Sequence, residues 1–182
     1  MADEVFGTAE QQTLLRRGRA LYALLADTPG ATYYGRAVGA LAADAKGRAL
    51  LPHLVTLQGA SNFFAVPDAD VAGLQADMDA QAYTTTHYAT WTGGQTALAA
   101  AEQILADHAL PDDVSLRVID DMSPPDDLAL LAEVSLTAGV LPITGAVLRG
   151  ALKPGLGIVA VDAKGRPVSC AAAASFAHPH SA

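Results

Sequence analysis

Few side chains in this sequence are of a type and spacing that can do chemistry, and the most reactive in its setting is a lone carboxylate, Glu133. It stands in a mostly apolar stretch from Leu128 to Leu141, where a carboxylate can take the proton of an amine that is about to attack a carbonyl. The commoner role of a helical glutamate is to face water. Cys170 is the single cysteine, which excludes an intrachain disulfide and a thiolate zinc cluster. Its neighbours are small, the setting of a buried small hydrophobe and not of a nucleophile. His178 and His180 carry metal-ligating rings, yet two ligands in a terminal stretch are too few for a site. Ser61 and Ser175 lack the Gly-x-Ser-x-Gly setting of a hydrolase nucleophile.

Two glycine-rich stretches imitate phosphate loops. Gly30-Ala31-Thr32-Tyr33-Tyr34-Gly35 has the glycine spacing, but Arg36 and Ala37 stand where lysine and a hydroxyl residue would hold phosphate and magnesium. Gly155-Leu156-Gly157-Ile158-Val159-Ala160 puts its glycines before a strand, whereas a dinucleotide fingerprint needs them after one. Arg16, Arg17 and Arg19 form a small basic cluster that a solvated helix face accounts for.

At 182 residues and 51% hydrophobic, the chain can bury the core of one large or two small domains. Nineteen Asp and Glu against eleven Lys and Arg give a net charge of -8, which repels polyphosphate and excludes duplex nucleic acid as the main partner. A small ligand at a local basic site remains compatible with that balance. No apolar run approaches the about 18 residues of a membrane span, and the first twenty residues mix acidic and basic groups without the apolar core of a secretory leader. A cytoplasmic location, with no membrane partner, is the expectation.

Periodicity supplies the elements. Thr8 to Ala26 reads as an amphipathic helix capped by Thr8, and Ala31 to Leu51 as further helix broken at Gly35, Gly39 and Ala45 to Arg48. Strands follow near His53 to Leu57 and Asn62 to Val66, then a helix from Asp68 to Gln81. Ala82 to Trp91, rich in Thr and Tyr, has strand composition, and Thr96 to His108 is helical. In the last third, Val114 to Asp120 alternates as a strand; Ser123 to Asp127 cap a helix; Ile143 to Leu148 form one short turn; and Gly157 to Asp162 with Pro167 to Phe176 form a hairpin around Lys164-Gly165. The fold class is α/β with a mixed α+β sheet, divided into an N-terminal helical and α/β region, 1–112, and a second region, 113–182. Two separable domains and one continuous sheet both fit the short connection at Leu110 to Asp113.

The order strand-helix-helix-strand-strand, together with Val147-Leu148-Arg149-Gly150, the stretch Pro154 to Asp162 and the stretch Gly165 to Ala174, resembles the opening half of a GNAT-superfamily N-acetyltransferase. The resemblance implies transfer of acetyl from acetyl-CoA to a small-molecule amine or an N-terminal amine. The acceptor would lie beside the loop Gly139 to Gly145, with Pro142, Ile143 and Thr144 as candidate substrate-binding residues and Glu133 as candidate base. In that family a loop patterned Gln or Arg, two residues, Gly, one residue, Gly or Ala opens a helix and binds the pyrophosphate through backbone amides. Arg36 to Leu41 departs from it at the last position, and Leu152 to Gly157 lacks the first residue and enters a strand. No cofactor-binding residue is therefore identified. The expectation is the opening part of a longer acetyltransferase or a relative without its cofactor half; the alternative class is a non-catalytic α/β binding or interaction module. An unpaired side of the Pro167 to Phe176 strand would offer an edge for self-association.

Overall fold

The computed structural model describes residues 4–177. Helix α1 (Ala9–Leu25) starts at a capping box: Thr8 Oγ1 accepts from the Gln11 N–H, and Gln11 Oε1 accepts from the Thr8 N–H at 2.8 Å. Strands β1 (Ala31–Thr32) and β2 (Gly39–Ala42) pair antiparallel, and β3 (Phe63–Ala65) runs parallel to β2 after the crossover helix α2 (Ala45–Gln58). This corrects the helix expected over Ala31 to Leu51 and the strand expected at His53 to Leu57. The face that α2 buries is Gly47, Leu51, Leu54 and Gln58, a helical spacing whose two ends are not apolar and so do not announce themselves.

Helix α3 (Asp68–Ala80) and β3 match the sequence reading; the strand expected over Ala82 to Trp91 does not form. Residues of strand composition need a neighbouring strand to bond to, and this segment has none. Its side chains turn to α3 instead: Thr85 Oγ1 donates to Gln75 Oε1 at 2.7 Å, and His87 Nε2 bonds to the same oxygen. Helix α4 (Gln95–Asp107) follows and buries none of its residues.

The last third runs β4 (Val114–Ile119), α5 (Pro125–Thr137), α6 (Gly145–Leu148), β5 (Gly155–Asp162) and β6 (Pro167–Ala174), in the expected order. The sheet order is β4-β5-β6, antiparallel throughout. Among the described residues the protein is thus a mixed α/β chain of six helices and two three-stranded sheets.

The sheets meet at one point. The Tyr33 N–H donates to the Phe176 carbonyl at 2.7 Å, and Thr32 bridges Ala177 in antiparallel sense. The larger apolar core joins Tyr33, Val38 and Leu54 to Leu128, Leu131 and Val159, and a second, smaller cluster gathers Leu51, Leu74 and Met78. Burial of such side chains stabilises a fold by about 1.5–3 kcal/mol each. Lys153 reinforces the junction from its loop, its Nζ bonding to the Tyr33 carbonyl above the stacked rings of Tyr22 and Tyr33.

Candidate functional site

Beside this junction lies an open groove of ≈ 1500 Å³. One wall is β6 from Val168 to Ala174, backed by Leu131, Val134, Ser135 and Ala138 of α5; the opposite wall is built from 59–66 and 82–88. An aromatic run lies along it. Phe64 and Phe176 stack at 3.8 Å between ring centroids and 9° between planes, and Tyr34 meets Phe64 edge-on at 5.9 Å. Arg36 places its guanidinium 5.5 Å from the centre of the Tyr34 ring, within cation–π range.

The backbone presenting Arg36 is held from below. Gln58, fully buried at the end of α2, bonds to both the N–H and the carbonyl of Val38, and Ser61 Oγ donates to the same carbonyl at 2.8 Å. Gly39 has to be a glycine here, because a Cβ would sit 2.4 Å from the Asn62 carbonyl oxygen that Ala40 N–H bonds.

Of the residues singled out in the sequence, Pro142 and Ile143 line the groove. Thr144 lies beneath its surface, fully buried; its N–H donates to the Gly35 carbonyl at 3.1 Å, and its Oγ1 has no hydrogen-bond partner among the described residues. Glu133 is exposed and does not reach the groove, although residues before and after it on α5 do. Cys170 sits half-buried in the β6 wall, and burial pushes its thiol pKa up, away from the nucleophilic thiolate. His178 and His180 lie outside the described residues. No group of three or more His, Cys, Asp or Glu able to hold a metal ion occurs among the described residues, and no helix there is long and apolar enough to cross a membrane.

Neither glycine stretch builds a pyrophosphate cradle. Arg36 to Leu41 runs into β2 and Leu152 to Gly157 into β5, so neither opens a helix whose amides could face a phosphate. Among the described residues, neither stretch fits the phosphates of coenzyme A.

The sequence reading missed Arg36 and His87. Arg36 was visible as a wrong residue in a phosphate loop and as the first residue of a stretch that departs from the coenzyme A pattern at its last position, and it is the sole charged residue from Gly30 to Ala43. His87 was hidden inside an expected strand. On the groove wall they are the only arginine and the only histidine, and no lysine, aspartate or glutamate lines it among the described residues. Gln75 Oε1 is an acceptor, so the Nε2 of His87 is the nitrogen that donates to it.

Compared with protein-family models, curated proteins and solved structures, the chain matches none.

Proposed function

We propose that this chain is the acceptor side of a GNAT-like N-acetyltransferase, with an amine seated in the groove beside the loop between α5 and α6. The observation that carries the reading is the topology: two helices cross from β4 to β5 in an all-antiparallel β4-β5-β6 order, and the loop between them brings Pro142 and Ile143 to the groove. Transfer to an amine needs that amine deprotonated and held, not a covalent enzyme intermediate. His87 places an imidazole on the groove wall, and Glu133 lies off it. The acyl donor of the family is acetyl-CoA; since its phosphates find no cradle here, the chain's part in the reaction is to bind and orient the acceptor. A cytoplasmic location goes with that role.

The second reading, a non-catalytic binding module, is favoured by the missing cradle. Two measurements separate the classes. Titration of a panel of primary amines and peptides with free N-termini should shift the backbone amide of Ile143 and the ring resonances of His87, and isothermal titration with coenzyme A reports on the donor. If no amine shifts these residues and coenzyme A gives no heat, acyl transfer is wrong and the binding module stands.

A further inference from the structure

The groove carries an electrostatic asymmetry that acyl transfer does not require. The protein is strongly acidic, with a net charge of -8, yet among the described residues no carboxylate lines this groove and its one full positive charge is Arg36. Four arginines elsewhere are paired: Arg48 with Asp77, Arg117 with Asp127, Arg149 with Glu4 and Arg166 with Asp162. Among the described residues Arg36 has no ion pair, its Nε is shut away from solvent without a hydrogen-bond acceptor, and its one close partner is the face of Tyr34. A guanidinium held by an aromatic face keeps its donors free, and an unmatched buried donor is unfavourable until an acceptor arrives.

We infer that the groove binds a small monocarboxylate with an apolar body, its carboxylate paired to Arg36. The planar fork of the guanidinium matches a carboxylate, and in a site flanked by apolar walls such a pair is stronger than in water. Valence follows from the count. One cation neutralises one negative charge, and among the described residues no lysine and no glycine-rich helix start lines the groove to match a phosphate's second. The body of the ligand follows from the rest of the lining: Tyr34, Phe64, Phe176 and Ile143 offer apolar and aromatic surface running away from the charge. The site owes its definition to a rigid base, because Gln58 and Ser61 fix Val38 and the packing of Gly18 against the Arg36 backbone fixes the other side of the turn.

The inference is independent of acyl transfer and is tested by binding alone. The probe is 2-naphthoate, with 2-naphthamide as the uncharged molecule of the same shape, titrated into the full 182-residue chain by calorimetry. Naphthoate should bind at least ten-fold more tightly than the amide, the difference should shrink as salt is raised, and Arg36→Gln should abolish it while Arg36→Lys retains part. A readout on the unaltered protein avoids any folding defect of the variants: the Arg36 Nε–H resonance should move with naphthoate and not with naphthamide. Equal affinity for acid and amide, or a stationary Arg36 resonance at saturating naphthoate, would overturn the assignment, as would failure of naphthoate to bind.

Discussion

Gln58 supplies Val38 with both halves of a backbone pairing: its Oε1 accepts from the Val38 N–H at 2.9 Å, and its Nε2 donates to the Val38 carbonyl at 2.5 Å. One side-chain amide thus stands where a neighbouring strand would, on a residue that is itself fully buried. Gln58→Leu leaves the Val38 N–H without a partner, while Ser61 still serves the carbonyl, so the expected loss is about 1–3 kcal/mol. Gln58→Glu is worse, since it brings a second acceptor against the carbonyl and buries a charge. Denaturant unfolding ranks the three proteins; a Gln58→Leu form as stable as the parent would remove this pairing from the account of how Arg36 is held.

Close packing on the other side of the same turn gives a second expectation. Gly18 of α1 lies against the Arg36 backbone so tightly that a Cβ would sit 2.1 Å from its carbonyl oxygen. Alanine is the better helix former by about 1 kcal/mol, but the backbone cannot give way as a flexible side chain would, and overpacking costs about 1–3 kcal/mol. Gly18→Ala should therefore lower the melting temperature and shift the amide resonances of Arg36 and Ala37. A more stable Gly18→Ala protein would mean that α1 is free to move off the turn.

Arg149 ties the start of the described chain to the far side of the core. Its Nε and Nη2 donate to the two oxygens of Glu4 at 2.7 and 2.8 Å, and its Nη1 donates to the carbonyls of Asp120 and Ser123 at 3.0 and 2.6 Å. The side chain is nearly wholly buried, so removing it abandons a carboxylate and two carbonyls at once. Arg149→Met should cost about 3–5 kcal/mol. Adding Glu4→Gln to it should cost less than the two losses summed, because the second change removes the charge that the first left unpaired. Strict additivity in that cycle would show that the pair is not coupled.

Two aspartates set the response to acid. Asp120 has its pKa lowered chiefly by the Ser123 hydroxyl, and Asp162 by the Arg166 N–H and then the Arg166 side chain, which with Lys164 N–H close the β5–β6 turn. A folded-state pKa below the unfolded one means that the stabilisation is complete above the unfolded value and is lost as pH falls through the folded one. Stability should therefore hold from neutrality down to about pH 4 and decline below it. Thermal unfolding between neutrality and strong acid checks this, and Asp162→Asn should flatten part of the decline. An acid limb unchanged by that substitution would take the turn out of the explanation.

The last third of the chain was readable because its signals are local. Val114 to Val118 alternates in period two in the sequence, which marks the strand although Leu116 and Val118 are exposed and Ile119 is the residue buried; Pro124 and Pro125 begin α5, and Gly165 turns the hairpin at a positive φ of 76°. The misread stretches owe their structure to distant partners. Gln58 belongs to the buried face of α2 because Val38 needs an amide, and Pro52 sits inside that helix, a place that proline ordinarily disfavours. Ala82 to Trp91 has the composition of a strand and no strand to pair with. The groove was out of reach for the same reason: Arg36, Phe64, His87 and Phe176 come from four separate stretches, and of the residues named from the sequence as substrate-binding only Pro142 and Ile143 are in its lining.

The open edge of β6 leads to the final expectation. In an antiparallel pair, successive residues send their N–H and C=O groups alternately to the two sides. Ser175 N–H bonds to Pro154 on the β5 side and the Phe176 carbonyl bonds to Tyr33 on the other, so Cys170, Ala172 and Ala174 face away from β5. β6 is the last strand of its sheet, and no backbone partner meets those three residues among the described ones. Their side chains are small, and a second copy lying antiparallel across them, Ala172 opposite Ala172 and Cys170 opposite Ala174, would occupy the groove that this strand lines. Self-association through this edge is the expected outcome, seen as a sedimentation coefficient that rises with concentration. Ala172→Pro removes an N–H on the open side alone and should give a monomer with an unchanged thermal transition, whereas Ala173→Pro breaks the ladder to β5 and should unfold the hairpin. A parent chain that sediments as a monomer at every concentration, or an Ala172→Pro form that associates as the parent does, would show that this edge is not used.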